Sequence, residues 1–134
     1  FGDDPGAANL VKLCGNFMIL SAVEAMSEAF ALAEKNGVDR AAVASFFGET
    51  LFSCPIYQNY GRIVANRAYE PAGFQLALGM KDVKLVKGAA DSARVPMALA
   101  ELLHERLTDS IAKGRSGMDW TAIELLVAER AGLR

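Results

Sequence analysis

One long helical stretch constrains the fold of this chain more than any other feature. The residues from about Ala7 to Lys35 contain no proline and only one glycine, whereas helices in globular proteins average about 11–12 residues. Pro5 precedes the stretch and Gly37 follows it, as expected for the start and the end of a helix. The first half is apolar nearly all round, which is typical of a helix buried at the centre of a bundle, and the more charged second half is predicted to be more exposed.

Helix signals continue through the rest of the chain. Prolines, glycines and potential capping residues divide it into five further predicted helices, with Asp39 and Asp119 as N-cap candidates. These helices cover about residues 40–47, 55–66, 75–92, 96–114 and 120–131. No segment has the period of a strand, and no GxGxxG motif is present. We therefore expect an all-α fold, a helical bundle built around one long buried helix, with residues 1–134 as a single domain that lacks a dinucleotide-binding half.

Composition argues against several classes of partner. Fourteen Lys and Arg side chains against sixteen Asp and Glu give a formal net charge of −2, which does not support binding to nucleic acid. The most apolar run, residues 17–23, is far shorter than the roughly 20 residues that span a bilayer, so we expect no membrane segment. Cys14 and Cys54 belong to no metal-binding motif, and we expect buried, reduced thiols in a cytoplasmic protein in preference to a disulfide. Because the chain begins at Phe1 rather than at methionine, we expect a fragment of a longer protein.

Two polar side chains stand out in the apolar first half of the long stretch. Lys12 and Asn16 are four residues apart, so they lie on one face of a helix, one turn from each other. A lysine among apolar neighbours is costly to keep charged, which suits it to proton transfer near neutral pH. An asparagine can donate and accept, so Asn16 could orient Lys12 or a substrate hydroxyl. Alternatively, the lysine extends to solvent along its apolar neighbours and the asparagine bonds to nearby backbone.

Several segments resemble the C-terminal domain of the β-hydroxyacid dehydrogenase family. That family includes 3-hydroxyisobutyrate dehydrogenase, 2-hydroxy-3-oxopropionate reductase, the glyoxylate/succinic semialdehyde reductases and, more distantly, 6-phosphogluconate dehydrogenase. The segment from Gly6 to Asn16, GAANLVKLCGN, is similar to the opening of this domain, and Phe74 with the later KDVKL segment resembles its Phe…Lys-Asp-Leu motif. Residues 24–39, 95–97 and 117–120 extend the likeness over essentially the whole chain. The sequence departs from the family at residues 7–8, where a second glycine is common, and at Trp120, where a small residue is commoner.

The resemblance implies a fold like the C-terminal domain of 6-phosphogluconate dehydrogenase and a role in hydride transfer between NAD or NADP and a small β-hydroxyacid or semialdehyde. It implies that Lys12 is the general acid/base, that Asn16 and Gly6 contact the substrate, and that Lys81 and Phe74 lie against the cofactor. No metal is implied. The dinucleotide would be bound mainly by an N-terminal domain absent from this chain, so the isolated domain is expected to be inactive. A homodimer or higher homo-oligomer is also expected.

Other interpretations fit the same residues. Lys81, Lys84 and Lys87 can form an ordinary solvated face of a helix. Phe74 can be an ordinary residue of the hydrophobic core. Asp82 is better suited to a helix cap or an ion pair than to acid catalysis. The whole chain can be a helical dimerisation module without activity of its own, because the long apolar helix would expose much surface if a partner domain were missing. An imine-reductase-like relative is disfavoured by Lys12, which such enzymes usually replace.

Overall fold

The long helix forms, and five shorter helices pack around it. The computed structural model describes residues 2–133. Its helices are α1 (Pro5–Lys35), α2 (Arg40–Glu49), α3 (Pro55–Asn66), α4 (Leu76–Ala93), α5 (Ala98–Ala112) and α6 (Glu124–Arg130), with a 3₁₀ turn at Trp120–Ile123 that leads into α6. Residues 2–133 contain no strand, only one isolated bridge between Gln75 and Asp119. The predicted all-α bundle is therefore confirmed, and the predicted helices agree with the observed ones to within a few residues.

Local signals in the sequence account for the helix boundaries. Asp39 caps α2 by accepting hydrogen bonds from the N–H groups of Ala41 and Ala42 at 3.3 and 3.1 Å, as predicted. Gly37 has a φ of +76° just after α1, a conformation that favours glycine at the end of a helix. α1 begins two residues earlier than predicted because Asp4 accepts the Gly6 N–H at 2.8 Å and caps the helix there.

The prediction of burial along α1 was wrong in both halves. Within α1, only Leu13 is buried before Leu20, where it packs with Val86 and Ala100. The second half carries most of the buried residues of the helix, which are Leu20, Val23, Glu24, Met26, Ser27, Phe30 and Ala31. Charge did not keep this half at the surface because Arg106 of α5 donates to Glu24 at 2.7 Å. A helix with apolar residues on every side is therefore not necessarily buried within its own domain.

α1 is also the one helix among residues 2–133 that is long and apolar enough to cross a membrane. Its second half instead lies inside the bundle, where Glu24 is ion-paired. The core helix of a globular protein can have the same length and composition as a membrane span. The second half of α1 packs as such a core helix, whereas the first half is largely exposed among the described residues.

Both cysteines are exposed, contrary to the expectation of buried thiols. Cys14 lies on the outer side of α1, and Cys54 precedes α3 at its N-cap. Both are free thiols, and the outward position of Cys14 follows from the exposure of the first half of α1.

Buried charges join four helix ends at one corner of the bundle. Arg40 at the start of α2 lies 2.8 Å from both Glu34 and Glu124, and it donates to the carbonyl of Val64 at 2.7 Å. Arg67 lies 2.9 Å from Glu34, and the Tyr69 hydroxyl donates to Glu124, which is fully buried. This cluster was not expected from the sequence, since arginine and glutamate are mostly found at the surface and no local pattern shows that these four charged residues meet.

Trp120 occupies the centre of the core and requires a glycine beside it. A Cβ atom on Gly79 of α4 would lie 3.2 Å from Cε3 of Trp120 and 3.5 Å from its Cβ. We expect Gly79→Ala to destabilise the protein by about 1–2 kcal/mol, because overpacking a core outweighs the gain in helix propensity. Urea denaturation measures the change. The matched control is Gly88→Ala in the same helix, where a Cβ meets nothing within 4 Å and a gain of about 0.5–1 kcal/mol is expected. Equal effects of the two substitutions would contradict the steric explanation.

Candidate functional site

Lys12 and Asn16 lie on the exposed half of α1, on the side that faces the bundle. They are one turn apart, and this side of the helix continues into the core through Val23 and Phe30. Leu13 holds this part of α1 against α4 and α5 through its contacts with Val86 and Ala100. The backbone next to Lys12 is thus anchored, while the Lys12 side chain is exposed.

A hydrogen bond joins Asn16 to α4. The Nδ2 atom of Asn16 donates to Oδ2 of Asp82 at 2.7 Å, and Asp82 is 4% exposed. The Nζ atom of Lys81 lies 3.9 Å from the other Asp82 oxygen, and its side chain is 63% exposed. The structure therefore brings together three residues of the two family-like segments: Asn16, Lys81 and Asp82.

The Asp82 carboxylate was not assigned to the site from the sequence. It was expected to be a cap or an ion-pair residue, and its distance from Lys81 agrees with a weak ion pair. Its shorter contact is with Asn16, which the sequence could not indicate because the two residues are 66 positions apart. The carboxylate only accepts when ionised, so it fixes which end of the Asn16 amide faces it. The Oδ1 atom of Asn16 is left to accept from another group.

The expected apolar surroundings of Lys12 are not provided by this domain. Among residues 2–133 the side chain is exposed, so the apolar residues beside it in sequence do not take it out of water. The reason is geometric, since neighbours in sequence on a helix point in different directions. Within the described part of the chain, Lys12 extends to solvent as the alternative interpretation expected.

Gly6 is at the first turn of α1 and lies apart from Lys12. It is exposed, and its N–H group donates to Asp4 as part of the helix cap. Six residues of helix separate it from Lys12, which is a rise of about 9 Å. A Cβ on Gly6 would lie 3.1 Å from the Asp4 carboxylate oxygen. A larger residue here would therefore crowd the side chain that caps the helix, which is enough to explain the glycine.

Phe74 is half-buried just before α4 and packs on Trp120. Their ring centroids are 4.6 Å apart, and the Phe74 carbonyl accepts from the Trp120 N–H at 2.9 Å. Asp119 accepts from the N–H groups of Gly73 and Phe74 at 3.0 and 3.1 Å, and it also caps the 3₁₀ turn through Thr121. Phe74 precedes Asp82 by eight residues, about 12 Å of helix, so the structure holds it firmly but does not bring it to Asn16.

Two grooves lie on other parts of the surface. One runs between α2 and α3, and the other between α1 and the α2–α3 corner. Neither is lined by Lys12, Asn16 or Lys81. Residues 2–133 also contain no group of three or more His, Cys, Asp and Glu side chains placed to hold a metal.

The polar residues at the α1–α4 contact suit proton transfer at an open surface. Lys12 supplies an amine, Asn16 supplies an oriented amide oxygen, and Lys81 supplies a positive charge beside a buried carboxylate. The described residues cover this group from one side only, because Lys12 and Lys81 are both exposed. A reaction here needs a second surface that covers the other side and excludes water.

Known proteins match this chain over nearly its whole length. The family model described as "NAD-binding of NADP-dependent 3-hydroxyisobutyrate dehydrogenase" matches residues 6–133. An uncharacterised oxidoreductase of Bacillus subtilis is 38% identical over 122 residues, and the match covers 91% of this chain and 42% of that protein. The mitochondrial 3-hydroxyisobutyrate dehydrogenase of Drosophila melanogaster is 29% identical over 125 residues, which covers 88% of this chain and 38% of the relative.

A solved structure confirms the fold. The 3-hydroxyisobutyrate dehydrogenase of Salmonella typhimurium superposes with a TM-score of 0.83 at 23% identity, and the match covers 92% of this chain and 43% of that one. The chain thus spans roughly two fifths of the length of the relatives that it matches.

Proposed function

Because the chain belongs to the 3-hydroxyisobutyrate dehydrogenase family, a family of NAD(P)-dependent hydroxyacid dehydrogenases, we propose that it is the helical substrate domain of such an enzyme. The reaction is hydride transfer between the nicotinamide and a small β-hydroxyacid or semialdehyde. The observation that carries this proposal is the 2.7 Å hydrogen bond from Asn16 to the buried Asp82, which joins the two family-like segments one turn from Lys12.

Lys12 is the general acid/base of the proposed reaction. In oxidation, the neutral amine accepts the proton of the substrate hydroxyl as the carbon loses hydride. In reduction, the ammonium stabilises the developing alkoxide and then protonates it. Its exposure in this domain leaves the amine accessible to a substrate that arrives from the open side.

Asn16 holds the reacting oxygen, and Asp82 is the positioning residue that orients Asn16. With one N–H of Nδ2 bound to Asp82, the amide plane is fixed. The second N–H of Nδ2 can donate to the reacting oxygen of the substrate, and Oδ1 can accept from the Lys12 ammonium. Fixed orientation of a reacting group accounts for a large part of enzymatic rate enhancement. Gly6 is exposed at the first turn of α1, where it contacts the end of the substrate that lies away from Lys12.

The described residues fit one side of a dinucleotide site. Lys81 carries an exposed ammonium that Asp82 holds at 3.9 Å, so it can meet the negative charge of a pyrophosphate. Phe74 is fixed by Asp119 and Trp120 and keeps part of its ring accessible. When bound, the nicotinamide supplies the hydride acceptor or donor. The phosphate-binding glycine turn belongs to a separate dinucleotide-binding domain, which also covers Lys12 and removes it from bulk water.

The proposal predicts that activity requires both domains. Residues 1–134 alone should form no NAD(P)H from any small β-hydroxyacid, because they supply only one side of the cofactor site. The full-length protein, in which these residues are joined to the dinucleotide-binding domain, should form NAD(P)H when a hydroxyacid is added. The measurement is absorbance of NAD(P)H with a panel of hydroxyacids and both cofactors. Turnover by the isolated domain, or none by the full-length protein with any member of the panel, would contradict the proposal.

A second candidate function is a helical association module without catalysis. The exposed apolar half of α1 favours it, since Val11 and Met18 are 41% and 68% exposed. A full-length protein that associates but never turns over would support this function alone.

A further inference from the structure

Gly15 lies inside α1, and the packing of this domain does not explain a glycine there. A glycine in a helix interior costs stability relative to alanine, because it loses more conformational freedom on folding. Gly15 is part of the regular helix and has no positive φ that would favour glycine. A Cβ atom added to it would meet no atom within 4 Å among residues 2–133. The missing side chain therefore leaves an open space on the helix.

Glycines elsewhere in the bundle have a steric reason that Gly15 lacks. A Cβ on Gly79 would lie 3.2 Å from Trp120, and a Cβ on Gly61 would lie 3.5 Å from the sulfur of Met26. At both positions another element of the fold packs against the missing side chain. At Gly15, by contrast, the described residues leave the backbone bare on a half-buried part of the helix.

The open space lies directly beside the proposed reacting side chains. Gly15 follows Lys12 by three residues, so the two are neighbours on the helix surface, and Asn16 is the next residue. A side chain on a helix leans toward the N-terminus and covers the preceding turn. Any larger residue at position 15 would therefore lie over the turn that carries Lys12, and glycine keeps that turn uncovered.

An aliphatic side chain closes the other end of the space. Ile19, one turn after Gly15, is half-buried and packs against the main core. The space thus has the Lys12 amine at one end, bare backbone as its floor and an apolar wall at the other end. A substrate whose hydroxyl meets Lys12 would place a substituent of the next carbon over Gly15. An apolar branch suits this place, because Ile19 offers no hydrogen bond to replace the water that a polar branch would lose.

We propose that Gly15 determines substrate specificity, its bare backbone receiving an apolar branch on the carbon next to the carbinol of a β-hydroxyacid. The hydroxyl lies at Lys12 and Asn16, and the branch rests on Gly15 against Ile19. This inference rests on the proposed hydride-transfer function and adds to it the class of acid, one that is alkyl-substituted beside the reacting carbon.

Substitutions that fill the space test this role in the full-length enzyme. The readout is kcat/KM for 3-hydroxypropionate and for its 2-methyl and 2-ethyl derivatives. The unmodified enzyme should favour the branched acids. One methylene in an apolar site changes kcat/KM by about 10–200-fold. We therefore expect Gly15→Leu to lower the ratio of the 2-ethyl to the unbranched acid by at least about tenfold, and Gly15→Ala to have an intermediate effect.

The matched control is Gly88→Leu, the same substitution inside α4. A Cβ on Gly88 also meets nothing within 4 Å in the described part of the chain, and it does not adjoin Lys12. This control should leave the ratio between the acids unchanged. Urea denaturation separates specificity from folding, because alanine and leucine both favour a helix over glycine. The two Gly15 variants should therefore unfold at a higher urea concentration than the unmodified protein.

Three outcomes would overturn the inference while the proposed function stands. They are an unmodified enzyme that prefers the unbranched acid, a ratio that Gly15→Leu does not change, and an equal loss for all three acids. An equal loss would show that residue 15 meets the covering domain instead of the branch. A full-length protein that turns over no β-hydroxyacid at all would overturn the proposed function, and this inference with it. Activity of the unmodified enzyme thus distinguishes the two failures.

Discussion

Replacement of Lys12 by alanine in the full-length protein is expected to lower kcat by about 10²–10⁴-fold, the usual contribution of a general acid/base. The side chain is exposed on the anchored part of α1, so its loss should leave the fold intact. KM should change much less than kcat if the amine acts mainly in the transition state. Steady-state kinetics in both reaction directions measures this effect, with circular dichroism as the check on folding.

The matched control for this variant is Lys35→Ala at the other end of the same helix. Lys35 is exposed in the last turn of α1, and its removal should cost only a few tenths of a kcal/mol through the helix dipole and should leave kcat unchanged. Addition of a small primary amine should restore part of the activity of Lys12→Ala, which a merely structural role would not allow. Activity within twofold of the unmodified enzyme would remove Lys12 from the proposed mechanism.

The helices of this fold were largely predictable from the sequence because their boundaries depend on local chemistry. Asp39 caps α2 by accepting from N–H groups two and three residues away, and Pro55 starts α3 because its fixed φ suits the first helical residue. The distribution of burial was not predictable in the same way. The second half of α1 buries Glu24 because Arg106, 82 residues later, reaches it, and no local pattern contains that information.

The candidate site was only partly predictable for the same physical reason. The helical spacing placed Lys12 and Asn16 on one face, and the family resemblance pointed to Lys81 and Phe74. The contact that organises the site, from Asn16 to Asp82, depends on the packing of α4 against α1. The prediction of apolar surroundings for Lys12 was wrong for residues 2–133, because an apolar helix can be covered by a surface outside its own domain.

The buried charge cluster predicts the largest change in stability. Arg40→Met should reduce the free energy of unfolding by about 3–5 kcal/mol, the usual cost of removing one partner of a buried ion pair. Methionine keeps much of the length of the side chain but leaves the fully buried Glu124 without its partner at 2.8 Å. Urea denaturation measures this loss. The matched control is Arg130→Met in α6, whose pair with Asp109 is exposed, and it should change the free energy by less than about 1 kcal/mol. Similar losses in the two variants would contradict a special role for the buried cluster.

The free energy of unfolding depends on pH through two groups of this cluster, Glu34 in acid and Tyr69 in alkali. Burial acts to raise the pKa of Glu34, but the hydrogen bonds from Arg40 and Arg67 outweigh it and hold that pKa below its ordinary value of 4.5. Glu34 therefore contributes stability above pH 4.5 that is lost as the pH falls through its lower folded-state pKa. Burial and the hydrogen bond to Glu124 raise the pKa of Tyr69 above its ordinary value of 10.0, so its contribution is present below pH 10 and is lost as the pH rises further.

Arg40→Met removes one of the two guanidinium groups that hold Glu34 and none of the groups that raise the pKa of Tyr69. The variant should therefore lose stability less steeply in acid than the unmodified protein and should keep the alkaline loss. Parallel stability curves in acid would show that Arg40 does not act on Glu34.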